Sequence, residues 1–164
     1  MASTNILAAW AMQSAELAVS AFPQFVVRNN HLGLAFDVSV REECYFTGVM
    51  PQHYAAGGIT TLVHWTQASN TSTNIVGWKI AFERIGAAQQ DIDADGFAAD
   101  VTAVLLSANA TPGNVVVQPI SAANGAAIDS IAVGEMFRLK LTRDVSGDVI
   151  HDDVQVLLVE MKES

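Results

Sequence analysis

Apolar side chains alternate with polar or small ones in four stretches of the chain. The stretches are residues 34–41, 76–83, 137–142 and 154–159. Because successive side chains of a β-strand point to opposite faces of a sheet, this alternation predicts four strands. The last stretch is apolar on both sides, as in a central or interface strand. The residues predicted to fill the core are Phe36, Trp78, Ile80, Phe82, Phe137, Leu139 and Leu141.

Weaker strands are predicted between and around these stretches. They span about residues 24–28, 43–50, 58–67, 100–107 and 114–121. Short segments rich in Gly, Asn, Asp and Pro separate them, and these residues favour turns. About eight or nine strands at this spacing, without intervening helices, indicate an all-β fold. We therefore predict one antiparallel β-sandwich or jelly roll over residues 23–164.

Residues 1–22 are predicted to form a short helix or an arm ahead of the sandwich. Ser3-Thr4-Asn5 can cap a helix, and residues 6–20 hold good helix formers without Gly or Pro. The larger apolar side chains of this segment form a partial stripe. That stripe can dock on a neighbouring molecule or cover the protein's own sandwich, and the sequence leaves both open. For docking on a neighbour, the predicted partner-binding residues are Ile6, Leu7, Trp10 and Leu17.

The charge of the chain argues against nucleic acid as a partner, and the lengths of its apolar runs argue against a membrane. Its 164 residues carry eight Lys and Arg against 17 Asp and Glu, a net charge of −9, and the basic residues are scattered. Nucleic-acid binding requires clustered cations, so we expect no contact with nucleic acid. No apolar run approaches the roughly 18 residues that cross a bilayer, so we predict a soluble protein without membrane contact.

The apolar residues also suggest self-association. They make up 51% of the chain, and many of them are Ala and Val. Small apolar side chains suit tight packing and subunit contacts, and this amount exceeds what one sandwich needs. We predict a homo-oligomer, with a trimer as the expected closed ring.

The sequence offers little for catalysis. It has no Gly-x-Ser-x-Gly nucleophile elbow and no Gly-rich phosphate loop ahead of a helix. The four histidines, His31, His53, His64 and His151, are far apart and form no His-x-His metal pair. Cys44 is the only cysteine and lies in a strand-like run, where a thiol is usually a small buried hydrophobe. We therefore expect no enzyme.

One acidic segment matches the first half of a calcium-binding loop. Asp91, Asp93 and Asp95 alternate and are followed by Gly96, as in loops whose oxygens converge on Ca²⁺. The second half departs from the pattern, because the position that requires a bidentate Glu is Thr102. Calcium is therefore a possible cofactor, and a solvated acidic turn is the alternative.

A second acidic segment follows the strand predicted at 137–142. Its Ser146-Gly147-Asp148 run accounts for the polarity as a hairpin turn. Arg143, at the end of that strand, could pair with Asp144, Asp152 or Asp153, and such an ion pair contributes little stability at a surface.

A set of short motifs is spread over residues 34–161. The motifs are Leu34-Ala35-Phe36-Asp37, Phe46-Thr47-Gly48-Val49-Met50-Pro51, Tyr54, Gly57-Gly58, His64-Trp65, Gly77-Trp78, Phe82-Glu83, Gly134-Glu135-Met136-Phe137-Arg138-Leu139, Arg143-Asp144 and Asp152-Asp153. In these motifs the chain resembles a jelly-roll module found in virion proteins of tailed bacteriophages. The resemblance covers about three quarters of the chain and excludes residues 1–22.

The resemblance implies a structural protein of the capsid surface, made in the host cytoplasm. Such a protein decorates and stabilises the head by binding the lattice of the major capsid protein. Two other classes stay open, because a fold does not fix a function. One is a tail-fibre or spike module that binds a host receptor or glycan, although Trp65 and Trp78 are expected in the core. The other is a cupin-like enzyme, which the missing metal ligands disfavour.

Overall fold

The computed structural model describes residues 5–69, 75–87, 91–103, 105–149 and 152–164. Thirteen β-strands and two single-turn 3-10 helices occur in these ranges. The 3-10 helices are Met12–Ser14 and Ala126–Ile128. The strands are β1 Ile6–Ala11, β2 Glu16–Leu17, β3 Gln24–Arg28, β4 His31–Phe36, β5 Glu43–Val49, β6 Ile59–Gln67, β7 Ile75–Val76, β8 Trp78–Ile85, β9 Val101–Thr102, β10 Leu106–Ser107, β11 Val116–Ala122, β12 Met136–Arg143 and β13 Val154–Glu163.

Two antiparallel sheets pack face to face and form the predicted sandwich. The first sheet has the order β11-β6-β13-β4-β3, and β1 pairs with the part of β13 that β4 leaves free. The second sheet has the order β2-β5-β12-β8-β9, and β7 pairs with β10 apart from both. The all-β antiparallel fold class predicted from the alternation is confirmed. In the described ranges, no helix has the length and apolar character needed to cross a membrane.

The space between the sheets is filled by the side chains that the alternation placed there. All seven predicted core residues are fully buried. The rings of Phe36 and Trp78 meet edge to face with centroids 5.1 Å apart, a geometry that aromatic pairs favour. Trp65 is also fully buried, as expected for a core tryptophan. Burial of these large side chains removes the most apolar area from water and holds the two sheets together.

The helix predicted for residues 6–20 is wrong. Residues Ile6–Ala11 form β1, which pairs antiparallel with Leu158–Lys162 of β13. A short isolated helix is marginal in water, whereas the free edge of β13 supplies backbone partners and the sandwich buries two large side chains. The first described segment is therefore an integral strand of the first sheet. Of the predicted cap residues, Ser3 and Thr4 lie outside the described residues, and the Asn5 carbonyl accepts the backbone N–H of Glu163.

Two predicted strands are shorter in the structure. The strand predicted at 34–41 ends at Phe36, and the one predicted at 100–107 is interrupted. Beyond Phe36, the Asp37 carboxylate accepts the backbone N–H groups of Ser39 and Val40 at 2.7 and 2.9 Å, which folds the chain into a turn. The hydrogen bond from the Ser39 backbone is also the main reason why the pKa of Asp37 is lowered. The strand predicted at 100–107 is divided into β9 and β10, which belong to different sheets.

Arg143 was expected at the surface, but its side chain is completely buried. Its Nε donates to Asp148 Oδ2 at 2.7 Å, a partner that the sequence did not single out. Its two terminal nitrogens donate to the carbonyl oxygens of Phe36, Asp37 and Asp152 at 2.8, 2.9 and 3.1 Å. One guanidinium therefore joins the end of β4 to the loop that precedes β13.

Candidate docking surface

The four predicted partner-binding residues fall into two groups. Leu7 and Trp10 are buried in the protein's own core, and Trp10 Nε1 donates to Thr47 O at 3.0 Å. They are therefore not available as anchors on a partner, and this part of the prediction is wrong. Ile6 and Leu17 are exposed, at 54% and 37% of their accessible area. For these two residues a contact with a partner stays a prediction.

Exposed apolar side chains recur along the segment that joins the two sheets. It begins in β2, the edge of the second sheet, and ends in β3, the edge of the first. We call this set of side chains the apolar margin, and its members are Leu17, Val19, Phe22, Phe25 and Val27. Five large exposed apolar residues within eleven positions form the kind of patch that marks an interaction surface.

The middle of the apolar margin is tied to the second sheet. The carbonyl of Ala21 accepts the backbone N–H of Glu43 at 3.0 Å. Ala21 has a φ of 52°, a left-handed conformation that L residues rarely adopt. Pro23 then fixes the entry into β3. Val19 and Phe22 are thus exposed on a link whose two ends are held by β2 and β3.

The outer face of the second sheet carries an aromatic pair that sequence reasoning missed. Phe97, in the loop after β8, stacks on Tyr45 of β5 with centroids 5.5 Å apart and planes 18° apart. The guanidinium carbon of Arg138 lies 4.5 Å from the centroid of the Tyr45 ring. Both rings are half-buried. The loop position of Phe97 gave no sign that it would return to this sheet.

Charged side chains around this pair are matched with opposite charges. Arg138 lies 3.3 Å from carboxylate oxygens of both Glu16 and Glu83. Lys140 Nζ lies 3.0 Å from Asp100, which also contacts Arg41. The two contacts of Asp100 hold the loop before β9 against the sheet.

The Tyr45 hydroxyl is bonded at the edge of the same cluster. It donates to Glu43 Oε1 at 2.7 Å. Burial, followed by this hydrogen bond, raises the pKa of Tyr45 to about 12. Tyr45 therefore stays neutral at physiological pH and acts as a donor there.

A groove of about 310 Å³ lies on the outer face of the first sheet. Arg28 and His31 from the β3–β4 hairpin line one side, and Thr66 and Gln155 line its floor. Arg28 Nη1 donates to the carbonyl of Gln67 at 3.0 Å, which fixes the hairpin across the sheet. The groove is shallow and open, and its lining mixes polar and apolar groups.

The structure does not assemble the predicted calcium site. Asp91 Oδ1 accepts the backbone N–H of Asp93 at 3.0 Å, and Asp95 Oδ2 accepts that of Asp91 at 2.7 Å. These bonds close a tight acidic turn, the alternative that the sequence left open. Across the ranges that the structure describes, no three His, Cys, Asp or Glu side chains converge as metal ligands.

The other residues considered for chemistry are held in structural contacts. Cys44 is fully buried, and burial raises the pKa of its thiol far above the ordinary range. His53 Nε2 lies 3.2 Å from the carbonyl of Ile6, and His64 Nε2 lies 2.7 Å from Glu160. His151 lies outside the described residues.

Comparison with known proteins gives a fold and no family. No family model matches the chain, and no curated protein matches its sequence. CBM35 from Cellvibrio japonicus Abf62, a carbohydrate-binding module, shares a TM-score of 0.51 at 10% identity, covering 94% of this chain and 92% of that one.

Two further solved structures are similar at lower scores. The C-terminal CBM6 of LamC, a marine laminarinase from Zobellia galactanivorans, has a TM-score of 0.46 at 13% identity and covers 97% and 100% of the two chains. The CBM22-1–GH10 modules of Clostridium thermocellum Xyn10B have a TM-score of 0.49 at 12% identity, with 100% of this chain but 28% of that chain covered. At these identities, the likeness extends to the β-sandwich jelly-roll fold alone.

Proposed function

We propose that this chain is a structural virion protein that decorates a phage capsid and stabilises it by binding the lattice of the major capsid protein. The observation that carries the proposal is the link between β2 and β3, where Val19 and Phe22 are displayed to solvent. The resemblance of residues 34–161 to jelly-roll virion modules supports the same function.

The link between β2 and β3, with Leu17 at its start, has the properties of a segment that docks on a partner, and we call it the docking segment. Leu17, Val19 and Phe22 expose large apolar side chains within six residues of a chain whose net charge is −9. Leaving such side chains in water is unfavourable, and a contact that covers them gains their burial free energy. Because Ala21 attaches the link to β5, little chain entropy is lost when the segment binds.

The body of the protein suits a load-bearing cover. Two sheets share one aromatic core, and the buried Arg143 joins β4 to the loop before β13. Close-packed interiors are barely compressible and transmit strain. A decoration protein on a pressurised shell needs this rigidity and performs no reaction.

Binding to undecorated capsids tests the proposal. We expect the wild-type chain to co-sediment with capsids, and V19D combined with F22S to bind about tenfold more weakly or worse because the docking segment loses apolar area. I92S is the control, since Ile92 is also a large exposed apolar residue but lies in the acidic turn. If I92S and the double variant bind alike, the docking segment is not the contact.

The number of copies per particle separates head from tail. A decoration protein is present in hundreds of copies over the head, whereas a fibre module is present in a few copies at the tail. Quantitative mass spectrometry of purified particles, with labelled antibody to locate the chain, gives both values. A few copies at the tail would overturn the decoration proposal.

A tail-fibre module that binds a receptor or glycan is the second candidate. The half-exposed Tyr45–Phe97 stack favours it, because sugars bind against aromatic faces beside polar groups. Arg138 already packs on the Tyr45 ring, which reduces the free face. Binding on a polysaccharide array that disappears in Y45A and F97A, but persists in V19D/F22S, would select this function over decoration.

A further inference from the structure

Strand β3 has the features of an edge that is covered when the protein functions. It is the last strand of the first sheet and pairs only with β4 in the described part of the chain. Phe25 and Val27 are exposed at 46% and 68%. Free edges of folded proteins are usually protected by charged side chains, Pro or a bulge inside the strand. The one such residue in β3 is Arg28, which lies at the hairpin end and donates to Gln67 O across the sheet.

The pairing of β3 with β4 determines which backbone groups face outward. The two strands are joined by the two-residue turn Asn29-Asn30, whose φ values of 47° and 64° are those of a type I′ hairpin. Such a turn is closed by a hydrogen-bonded pair, here Arg28 with His31, and bonded and non-bonded pairs alternate along the strand. The N–H and C=O groups of Phe25 and Val27 therefore point to the free edge.

The sequence of β3 is complementary to itself in antiparallel register. When two copies are centred on Val26, Phe25 of one copy lies opposite Val27 of the other, twice across the dyad. Both members of each pair have outward-pointing backbone groups, so the register forms four N–H···O=C bonds. The exposed apolar side chains also meet their counterparts on one face.

The opposite face of this register carries no like-charge conflict. Each Arg28 lies opposite the uncharged Gln24 of the other copy. Gln24 lines a pocket whose other walls include the carboxylates of Asp37, Glu42 and Asp153. The positive end of one strand is thereby placed near the acidic end of its neighbour, which favours the antiparallel over the parallel arrangement.

We propose that two copies of this chain associate through β3–β3 pairing centred on Val26, which joins their first sheets into one continuous sheet. The dyad is isologous, so the contact closes and does not propagate. This oligomer is a dimer, and the trimer predicted from the sequence is an alternative outcome of the same measurement. The pairing does not depend on capsid binding. It would, however, place two docking segments in one dimer, and binding through both would raise the avidity of the dimer for the capsid.

The mass of the protein in solution tests the pairing. Sedimentation velocity over a micromolar concentration series is expected to show a dimer for the wild type and a monomer for V27P and V27K. The N–H of Val27 points to the free edge. Proline at this position therefore removes a donor to the second copy without breaking a hydrogen bond between β3 and β4. V117K is the matched control, because Val117 is an exposed residue of β11 at the other edge of the same sheet. It should remain dimeric.

Crosslinking tests the register. Val26 of each copy forms a non-hydrogen-bonded pair across the dyad, where Cβ atoms approach closely enough for a disulfide. V26C should oxidise to a covalent dimer, while V117C should not, and the native Cys44 is buried and does not interfere. Circular dichroism confirms that each variant is folded.

Three results would overturn the pairing. They are a wild-type monomer throughout the series, an oligomer whose mass V27K leaves unchanged, and a V26C that is folded but does not crosslink. Failure of capsid binding by V19D/F22S alone bears on the proposed function and not on the dimer. Loss of the dimer in V27K with normal capsid binding supports the dimer and separates the two proposals.

Discussion

Arg143 and Asp148 form an ion pair that is shut away from solvent, with 0% and 2% of their side chains exposed and 2.7 Å between Nε and Oδ2. A buried charge that loses its partner remains desolvated, and this penalty is larger than the net value of the pair. The pair is therefore sensitive to changes on either side.

We expect R143M and D148N each to lower the free energy of unfolding by about 3–5 kcal/mol, because each leaves a buried group without its charge partner. Urea denaturation at neutral pH measures the change. R41M is the control, since Arg41 forms an exposed pair with Asp100 and its loss should cost less than about 1 kcal/mol. Equal effects in the three variants would show that the burial of Arg143 carries no special weight.

Replacing Trp10 should damage the fold and not merely a contact with a partner. Its ring lies 5.7 Å from Phe46 and 6.1 Å from Phe137, so W10A leaves a cavity between the sheets. We expect a loss of about 3–5 kcal/mol in stability. I6A, in the same strand but exposed, should change stability by less than about 1 kcal/mol. A W10A protein that melts like the wild type would argue against β1 as a core strand.

Glu135 should make the protein sensitive to acid. Hydrogen bonds from Arg84, and then from the backbone of Ala132, lower the pKa of Glu135 below its usual value of 4.5. A carboxyl whose pKa is lower in the folded state stabilises the fold above its unfolded pKa, and this contribution is lost as pH falls through the folded pKa.

The urea midpoint should therefore decline less steeply below about pH 4.5 in E135Q than in the wild type. R84M should flatten the profile in the same way, and the double variant should add little, because the two groups act as one pair. Parallel profiles for wild type and E135Q would contradict the assignment. Glu42, whose pKa is raised by burial, acts in the opposite direction and should be mutated separately.

Calcium should leave the thermal stability unchanged. Asp91 and Asp95 use side-chain oxygens to close their own turn and do not converge with Asp93 on one point. Ligand binding to the folded state would raise the melting temperature by linkage. Melting curves recorded with excess calcium and with excess chelator should superimpose, and a rise with calcium would revive the metal site.

The strand interiors were predictable because alternation is a local signal that burial enforces. Phe82 and Phe137 face the core because the large apolar side chains of each strand lie on one side of it. The fate of residues 6–11 was not predictable in this way. Their helix propensity is local, but the free edge of β13 that captures them is created by residues about 150 positions away.

The candidate sites depended even more on distant pairing. The apolar character of both sides of residues 154–159 indicated a central strand, but no local feature shows that β3 is an edge. The exposure of Phe25 and Val27 therefore required the strand order. The contacts of Arg143 also depended on distant parts of the chain. The segments Phe36-Asp37 and Asp152-Asp153 are far apart in sequence, yet Arg143 donates to backbone carbonyls in both.

Strand β1 pairs with β13, and the Asn5 carbonyl accepts the N–H of Glu163 at 3.1 Å. β1, the first described strand, thus cannot pair until β13, the last strand, is present. β13 also lies between β6 and β4, so the first sheet cannot form in full without it. Closing such distant contacts is slow, and unpaired strands are exposed in the meantime. Folding should therefore have a late, cooperative step in which residues 154–163 insert, and a nascent chain that lacks them should depend on chaperones.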